Sequence, residues 1–410
     1  MQQIKTLSPW VVCFSASLFF AYELLQLHIM NAISSPLMHD LNLNATQFGS
    51  LSSTYLLADV IFLLPAGILL DRFSVRRIIL TALFLCILGT IGFCCAYSLY
   101  FACICHFLSG IGNAFCFLSC IILISRWFPK EKQAFVTGLV VTVGMLGGVV
   151  AQFPFSLLTH HFSWRTALLI DAFIGVVIFL LISLFVQDGI KGKTEKTFPF
   201  WLGIKQAINM HTICCGLYTA FMNLPLMVIG AVWGSLFLSQ VHHVPFVKAS
   251  FIVSMICIGT TIGAPIFGWL SDRARRRLSL MACGGLAAIV IMLLIMSIPP
   301  SNEYTLLSLF FLLGFMTSSQ ILGYPAITEN SPPNLTGTSM GIAALIIMGM
   351  PALIHPISGK LLDWNGATTP LYAASDFIRA FSILPIGFIL ALIMLCKIKE
   401  PSTCNPHVYQ

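Results

Sequence analysis

The chain has 410 residues, 58% of them hydrophobic and only 9% charged, with a net charge of +7. A soluble domain carries roughly 25% charged residues, so a mean hydropathy of +0.94 excludes a single water-soluble core. Apolar runs of about 20 residues recur from end to end without alternating, which points to membrane-spanning helices and away from a β-barrel.

Taken in order, the runs predict spans at 10–33, 47–70, 76–97, 100–126, 131–156, 164–186, 208–238, 247–270, 278–298, 304–326, 337–360 and 375–397. The first run follows one Lys and lacks a small-residue cleavage site, so it reads as a retained helix and not a signal peptide. The one long polar break, 187–206, carries Lys191, Lys193, Lys196 and Lys205. It divides the chain into a six-helix bundle at 1–186, a linker at 187–206, a second bundle at 207–400 and a tail at 401–410. The expected fold is an all-α membrane protein of twelve transmembrane helices in two pseudo-symmetric bundles.

Charge sets the orientation. With both ends on one face, that face receives 17 of the 21 Lys and Arg, and the other receives only Arg165, Lys248, Lys360 and Arg379. The positive-inside rule then places both termini in the cytoplasm, with the chain in an inner (plasma) membrane. Topology alone accounts for the positive charge, so no nucleic-acid partner is implied. Most of the fourteen cysteines lie inside apolar runs and read as small hydrophobes. There is no G-x-x-x-x-G-K-[ST] phosphate loop, and the pairs His160-His161 and His242-His243 lack metal-ligand spacing. No cofactor, metal or enzymatic chemistry is expected.

A motif recurs in the two halves. Gly67, Asp71, Arg72, Arg76 and Arg77 follow the second span, and Gly268, Asp272, Arg273, Arg275, Arg276 and Arg277 follow the eighth. Glycine, aspartate and arginine repeat at an offset of 201, close to half the chain. Secondary transporters are commonly built from repeated halves with the substrate at their interface.

The duplicated motif resembles the cytoplasmic loop motif of the major facilitator superfamily. The resemblance continues in Arg126-Trp127-Phe128-Pro129-Lys130-Glu131, in Gly138, Gly144, Gly147 and Gly148 of the fifth span, and in Trp164-Arg165. Trp233-Gly234 and Gly337-Thr338-Ser339-Met340-Gly341, with Gly359 and Asp363, extend it through the second half. Tyr22-Glu23, Leu51-Ser52 with Tyr55, and Trp233-Gly234 are further similar to the branch of lysosomal dipeptide transporters and their bacterial relatives. That branch often has arginine soon after Tyr-Glu, where this chain has Gln26. The resemblance implies alternating access by a protein that works as a monomer.

The loop residues have a physical role open to them. A carboxylate at Asp71 or Asp272 can meet the positive N-terminus of a neighbouring helix or the arginines that follow. Either contact would latch one state; the plainer alternative is an ordinary turn. The glycines of the fifth and eleventh spans allow helices to approach and rock, although packing explains Gly144 and Gly148 equally well.

Ionisable groups inside spans are costly and mark candidate sites. Glu23 stands near the middle of the first span, with Tyr22 beside it and Gln26 one turn on. It can load and release a proton, bind a substrate ammonium, or serve as a structural carboxyl. Asp59 in the second span is a second carrier or an interhelical contact. His106 occupies a place where the resemblance implies an arginine linked to proton coupling. It replaces that role in titratable form, marks its loss, or is a satisfied polar residue. His355, between Pro351 and Pro356, is open to the same readings. Asp171, two turns into the sixth span, reads as a headgroup contact.

The resemblance also implies that spans 1, 4, 7 and 10 line a central cavity. Asn113, Tyr218, Asn223, Gln320 and Tyr324 are their neutral polar residues. Asn223 with Pro225, and Tyr324 with Pro325, predict broken helices whose freed carbonyls face ligand, or simple kinks. No Lys or Arg lies at the centre of any span, which disfavours phosphorylated sugars and dicarboxylates as substrates. The expected function is secondary active transport of an amino acid, short peptide or similar zwitterionic or cationic solute, coupled to protons. The alternative is a proton-driven efflux pump for drugs or metabolites.

Overall fold

The computed structural model describes residues 8–189, 208–274, 276–297, 302–331, 336–366, 371–398 and 400. The linker lysines at 191, 193, 196 and 205, the tail 401–410, Lys5, Arg275 and Lys399 lie outside the described residues.

Twelve helices among the described residues are long and apolar enough to cross a membrane. They are α1 (Pro9–Asp40), α2 (Ala45–Arg72), α3 (Val75–Cys94), α4 (Leu99–Trp127), α5 (Lys130–His161) and α6 (Trp164–Phe185). They continue as α7 (Met210–Val241), α8 (Phe246–Ala274), α9 (Arg277–Ser297), α10 (Glu303–Asn330), α11 (Thr336–Asn365) and α12 (Ala374–Leu395). With twelve crossings, the turns after α2, α4, α8 and α10 share the face of the chain ends, here the terminal face. The turns after α1, α3, α5, α7, α9 and α11 lie on the far face.

Local chemistry starts the helices. Ser74, Ser98, Ser163 and Asn209 each accept a backbone N–H from the first turn of α3, α4, α6 and α7, which satisfies donors that have no intrahelical partner. The largest departure from expectation is α1, which runs seven residues past 33. Ser34-Ser35-Pro36 looks like a breaker. Yet Pro36 removes only one backbone donor, and Leu37 and Met38 beyond it are fully buried.

The chain divides into two compact units. Unit 1 comprises 1–33 and 54–195, and unit 2 comprises 34–53 and 196–410. The turn between α1 and α2 thus groups with unit 2, whereas α2 beyond Ser53 groups with unit 1.

The repeat seen in the loops extends into the packing of each unit. In unit 1, Gly110 of α4 abuts the Tyr55 carbonyl of α2, leaving no room for a Cβ. In unit 2, Gly314 of α10 abuts the Ile256 carbonyl of α8 in the same way, and Tyr55 and Ile256 are again 201 apart. Missing side chains let these helices touch along their backbones, as membrane helices favour. The first turns of α3 and α9 match as well. Asp188 Oδ1 accepts from Arg76 N at 2.9 Å, and Glu400 Oε1 accepts from Arg277 N at 2.6 Å. Each half therefore ends in a carboxylate that caps its own third helix.

Candidate functional site

Unit 1 holds a polar cluster on α1 that is sealed from solvent. Glu23, Tyr22, Gln26, Asp59, His106 and Asp171 are all buried. Glu23 Oε2 accepts a hydrogen bond from the Tyr55 hydroxyl at 2.7 Å. The same hydroxyl lies 3.0 Å from the Glu23 carbonyl. Glu23 Oε1 meets no hydrogen-bond donor at close range, and the Cys86 thiol lies beside the carboxyl. Oε1 lies against Gly112 of α4, where a Cβ would overlap it. The glycine of Gly110-Ile111-Gly112 nearest α1 thus makes room for a carboxyl.

One turn on, Gln26 Nε2 donates to Asp171 Oδ2 at 2.5 Å and to Thr90 Oγ1 at 3.1 Å. The Tyr22 hydroxyl also reaches Asp171 Oδ2, at 3.5 Å. Asp171 Oδ1 is left without a partner. This corrects the headgroup reading of Asp171, whose side chain turns inward onto α1 instead of outward to lipid. The signal was present in the sequence: Gly175 is one turn along α6 on the same face, and the Tyr22 hydroxyl fills the space that a Cβ there would take.

His106 lies between two rings, 5.2 Å from Tyr55 and 5.4 Å from Phe93. Tyr55 therefore touches Glu23 through its hydroxyl and His106 through its ring face. Asp59 sits against the Asn113 side chain. So α1, α2, α4 and α6 bring together Tyr22, Glu23, Gln26, Asp59, His106 and Asn113, with Asp171 added. Sequence reasoning also passed over His28 and Asn31. His28 Nδ1 pairs with the Leu24 carbonyl at 2.8 Å and its Nε2 has no partner, while Asn31 donates to Gln152 at 2.6 Å. Glu23, Gln26 and Asn31 form a polar stripe at helical spacing that could have revealed the latter.

In unit 2 the candidate residues do different work. The Tyr218 hydroxyl donates to the Met281 carbonyl at 2.9 Å and pairs with Ser319 Oγ at 3.1 Å, so it staples α7 to α9 and α10. Asn223 precedes a π-helical stretch, Pro225–Trp233, in which every residue is buried. Proline at its first position fits the expected break, and wide turns of this kind often mark functional sites. His355 Nε2 pairs with the Met227 carbonyl of that stretch at 3.2 Å, while its Nδ1 has no partner. Trp233 Nε1 donates to Ser358 Oγ at 2.8 Å.

In α10 the break falls earlier than Tyr324-Pro325 suggested. The tight turn is Ser318–Leu322, and Tyr324 and Pro325 lie inside the following α-helix. The reason is steric: a proline ring disturbs the carbonyl four residues before it, here Ile321. Gln320 lies in that tight turn, and its backbone carbonyl accepts from Thr219 Oγ1 at 3.3 Å.

Four of the loop arginines have contacts inside their own unit. Arg76 Nη2 donates to the Ser183 carbonyl at 2.5 Å, and Arg77 N donates to Ser74 Oγ at 3.3 Å. The side chain of Asp71 lies outside the described residues. Arg277 pairs with Asp272 at 3.2 Å and with Glu329 at 2.6 Å. Arg273 lies over the Trp269 ring at 5.6 Å. A Cβ at Gly268 would meet nothing within 4 Å, and one at Gly67 would meet only Leu118, at 3.9 Å.

Known proteins share this organisation. The probable galactarate/D-glucarate transporter GudP of Bacillus subtilis is 23% identical over 98% of this chain and 97% of its own. Mouse monocarboxylate transporter 12 is 24% identical over 72% of this chain and 67% of its own. Among solved structures, a bacterial homologue of the human lysosomal transporter Spinster superposes with a TM-score of 0.74 at 16% identity, covering 95% of this chain and 97% of the other. The nucleoside transporter NupG gives 0.77 at 15% identity, covering 95% and 100%. The profile of the Major Facilitator Superfamily matches residues 10–356. The chain is therefore a multi-pass membrane transporter of small organic solutes, not an enzyme, and it belongs to the Major Facilitator Superfamily.

Proposed function

We propose that this transporter moves a zwitterionic or cationic organic solute, such as an amino acid or short peptide, by alternating access coupled to protons. The observation that carries this reading is a buried carboxyl, Glu23, whose polar neighbours are the Tyr55 hydroxyl and the Cys86 thiol, with no cation beside it among the described residues. Asp59 and Asp171 are buried in the same unit, and the span centres carry no Lys or Arg. Such a site attracts a proton or an ammonium and repels an anion. Glu23 is the proposed proton carrier. Tyr55 orients it, and Gly112 gives it space.

Asp71, Asp272 and their arginines act in this reading as the terminal-face latch. Gly67 and Gly268 support it, because the space beside each leaves room for a helix to close there in another state. Both termini lie in the cytoplasm, given the 17 to 4 split of basic residues. One copy of the chain is the working unit, in an inner or plasma membrane.

GudP and monocarboxylate transporter 12 are named for carboxylate substrates, which sets the sharpest test. Proteoliposomes with an imposed proton gradient should accumulate labelled amino acids or dipeptides and leave glucarate outside. Accumulation of glucarate alone would overturn the substrate class. A potential of 100 mV supplies about 2.3 kcal/mol per charge, enough for roughly fiftyfold accumulation. Glu23→Gln should reduce that ratio to about one while facilitated exchange persists. Undiminished accumulation in the variant would remove Glu23 from the coupling.

A further inference from the structure

The far-face end of α2 is tied to α11 by more than ordinary packing. All of these contacts lie within unit 2. The first turn of α2 presents backbone donors that no helical carbonyl can satisfy. Asn44 Oδ1 takes the Gln47 N–H at 2.9 Å, and Gln47 Oε1 returns the bond to Asn44 N at 3.1 Å. The remaining two donors go to Asp363 of α11. Ala45 N lies 3.1 Å from Asp363 Oδ1, and Thr46 N lies 2.6 Å from Oδ2. Thr46 Oγ1 adds a bond of 2.6 Å to Oδ2. The Tyr372 hydroxyl donates to Oδ1 at 3.0 Å and accepts from Ala45 N at 3.0 Å.

Below this cap the two helices run in backbone contact. Gly359 abuts the Ala45 carbonyl and Gly49 abuts the His355 carbonyl, with no room for a Cβ at either. Ser53 Oγ donates to the Ala352 carbonyl at 2.5 Å. Phe48 meets the Trp233 ring edge-on at 5.3 Å. The closure therefore extends from 45 to 53 on α2 and from 352 to 363 on α11. Beyond Ser53, α2 packs inside unit 1, where Gly110 abuts Tyr55. Any motion that carries α2 along with unit 1 must part the first nine residues of α2 from α11.

We propose that Asp363 is a far-face latch: its carboxylate on the N-terminus of α2 holds that face shut, and its release is required for the face to open. Charge-assisted bonds to a helix start are short and directional. The small residues beneath let the interface close flat and separate without unthreading side chains. The inference rests on the alternating-access reading above and adds to it the element that closes the side opposite the Gly67 and Gly268 loops.

Hydrogen–deuterium exchange of the purified protein in lipid nanodiscs tests it. Asp363→Asn should speed exchange by about tenfold or more across 45–53 and 352–363, the scale of a lost charged hydrogen bond. Exchange at 67–77 and 268–277 should slow at the same time, because one face closes as the other opens. Tyr372→Phe should shift both faces in the same direction by less. Gly359→Leu forces the helices apart whatever Asp363 does. If Gly359→Leu gives the two-faced pattern and Asp363→Asn speeds only the first turn of α2, Asp363 is a local cap and the latch is wrong, while alternating access stands. If no variant changes the terminal face, the latch and the alternating-access reading both fall.

Discussion

The middle of unit 1 is organised by carboxyls, and the middle of unit 2 by hydroxyls and rings. Unit 1 buries Glu23, Asp59 and Asp171 at mid-membrane positions. Buried polar groups within the spans of unit 2 include Asn223, Tyr218, Thr260, Ser319 and His355. Yet the scaffold is the same on both sides: Gly110 on Tyr55 matches Gly314 on Ile256, and Asp188 on Arg76 matches Glu400 on Arg277. Backbone packing and helix capping thus recur in both halves. The buried carboxyls at mid-span lie in unit 1, while unit 2 keeps one buried imidazole there, His355.

The contrast can be broken most sharply at Gly112. Gly112→Val drives a side chain into Glu23 Oε1 and should cost about 3 kcal/mol, the upper range for overpacking. Gly268→Ala, with open space around it, should stay within about 0.5 kcal/mol. Thermal melts of the purified variants compare the two, and equal losses would mean that the carboxyl is not tightly seated. Next comes Asp171→Ala, which leaves Gln26 only its bond to Thr90 and should cost about 2 kcal/mol. Asp171→Asn keeps an acceptor and should recover part of that loss. On the other side, Tyr218→Phe removes a neutral staple and should cost about 1 kcal/mol. A larger loss there than at Asp171 would reverse the ranking of the two units.

The smallest effect is a pH dependence at the far-face end of α7. Burial, reinforced by neighbouring His243, holds the His242 imidazole below its ordinary pKa. The unfolded chain takes up that proton first as pH falls below about 6.5. Stability should therefore be complete above that value and decline as pH falls toward the folded-state pKa. His242→Gln should lose less melting temperature than the parent protein between about pH 7.5 and about pH 5.5. An identical decline in both would assign the effect elsewhere.

Much of the architecture was legible in the residues, because apolar run length translates directly into crossing helices. The spans were placed within a few residues except at the end of α1, where buried Leu37 and Met38 outweighed Ser34-Ser35-Pro36. The candidate site was half legible. Glu23 and Gln26 announce themselves as polar groups at a costly depth. Asp171 did not, because depth along α6 says nothing about which way a side chain turns, and only Gly175 beside it hinted at an inward face. The break in α10 falls one turn before Pro325, because proline acts on the carbonyl behind it. The pairing of Asp363 with α2 joins positions over 300 residues apart, a link no local pattern encodes.

The lengths of the helices carry one more consequence. The third and sixth helices of each half, α3, α6, α9 and α12, span only 20 to 22 residues, while α1 and α5 span 32. At 1.5 Å per residue the short four measure about 30 Å, which matches the hydrocarbon slab with nothing to spare. They also carry many of the most lipid-exposed side chains, among them Phe84, Phe173, Leu286 and Ile386. The long helices can lean as the acyl chains lengthen; the short four cannot, so bilayer thickness should set how freely this transporter cycles.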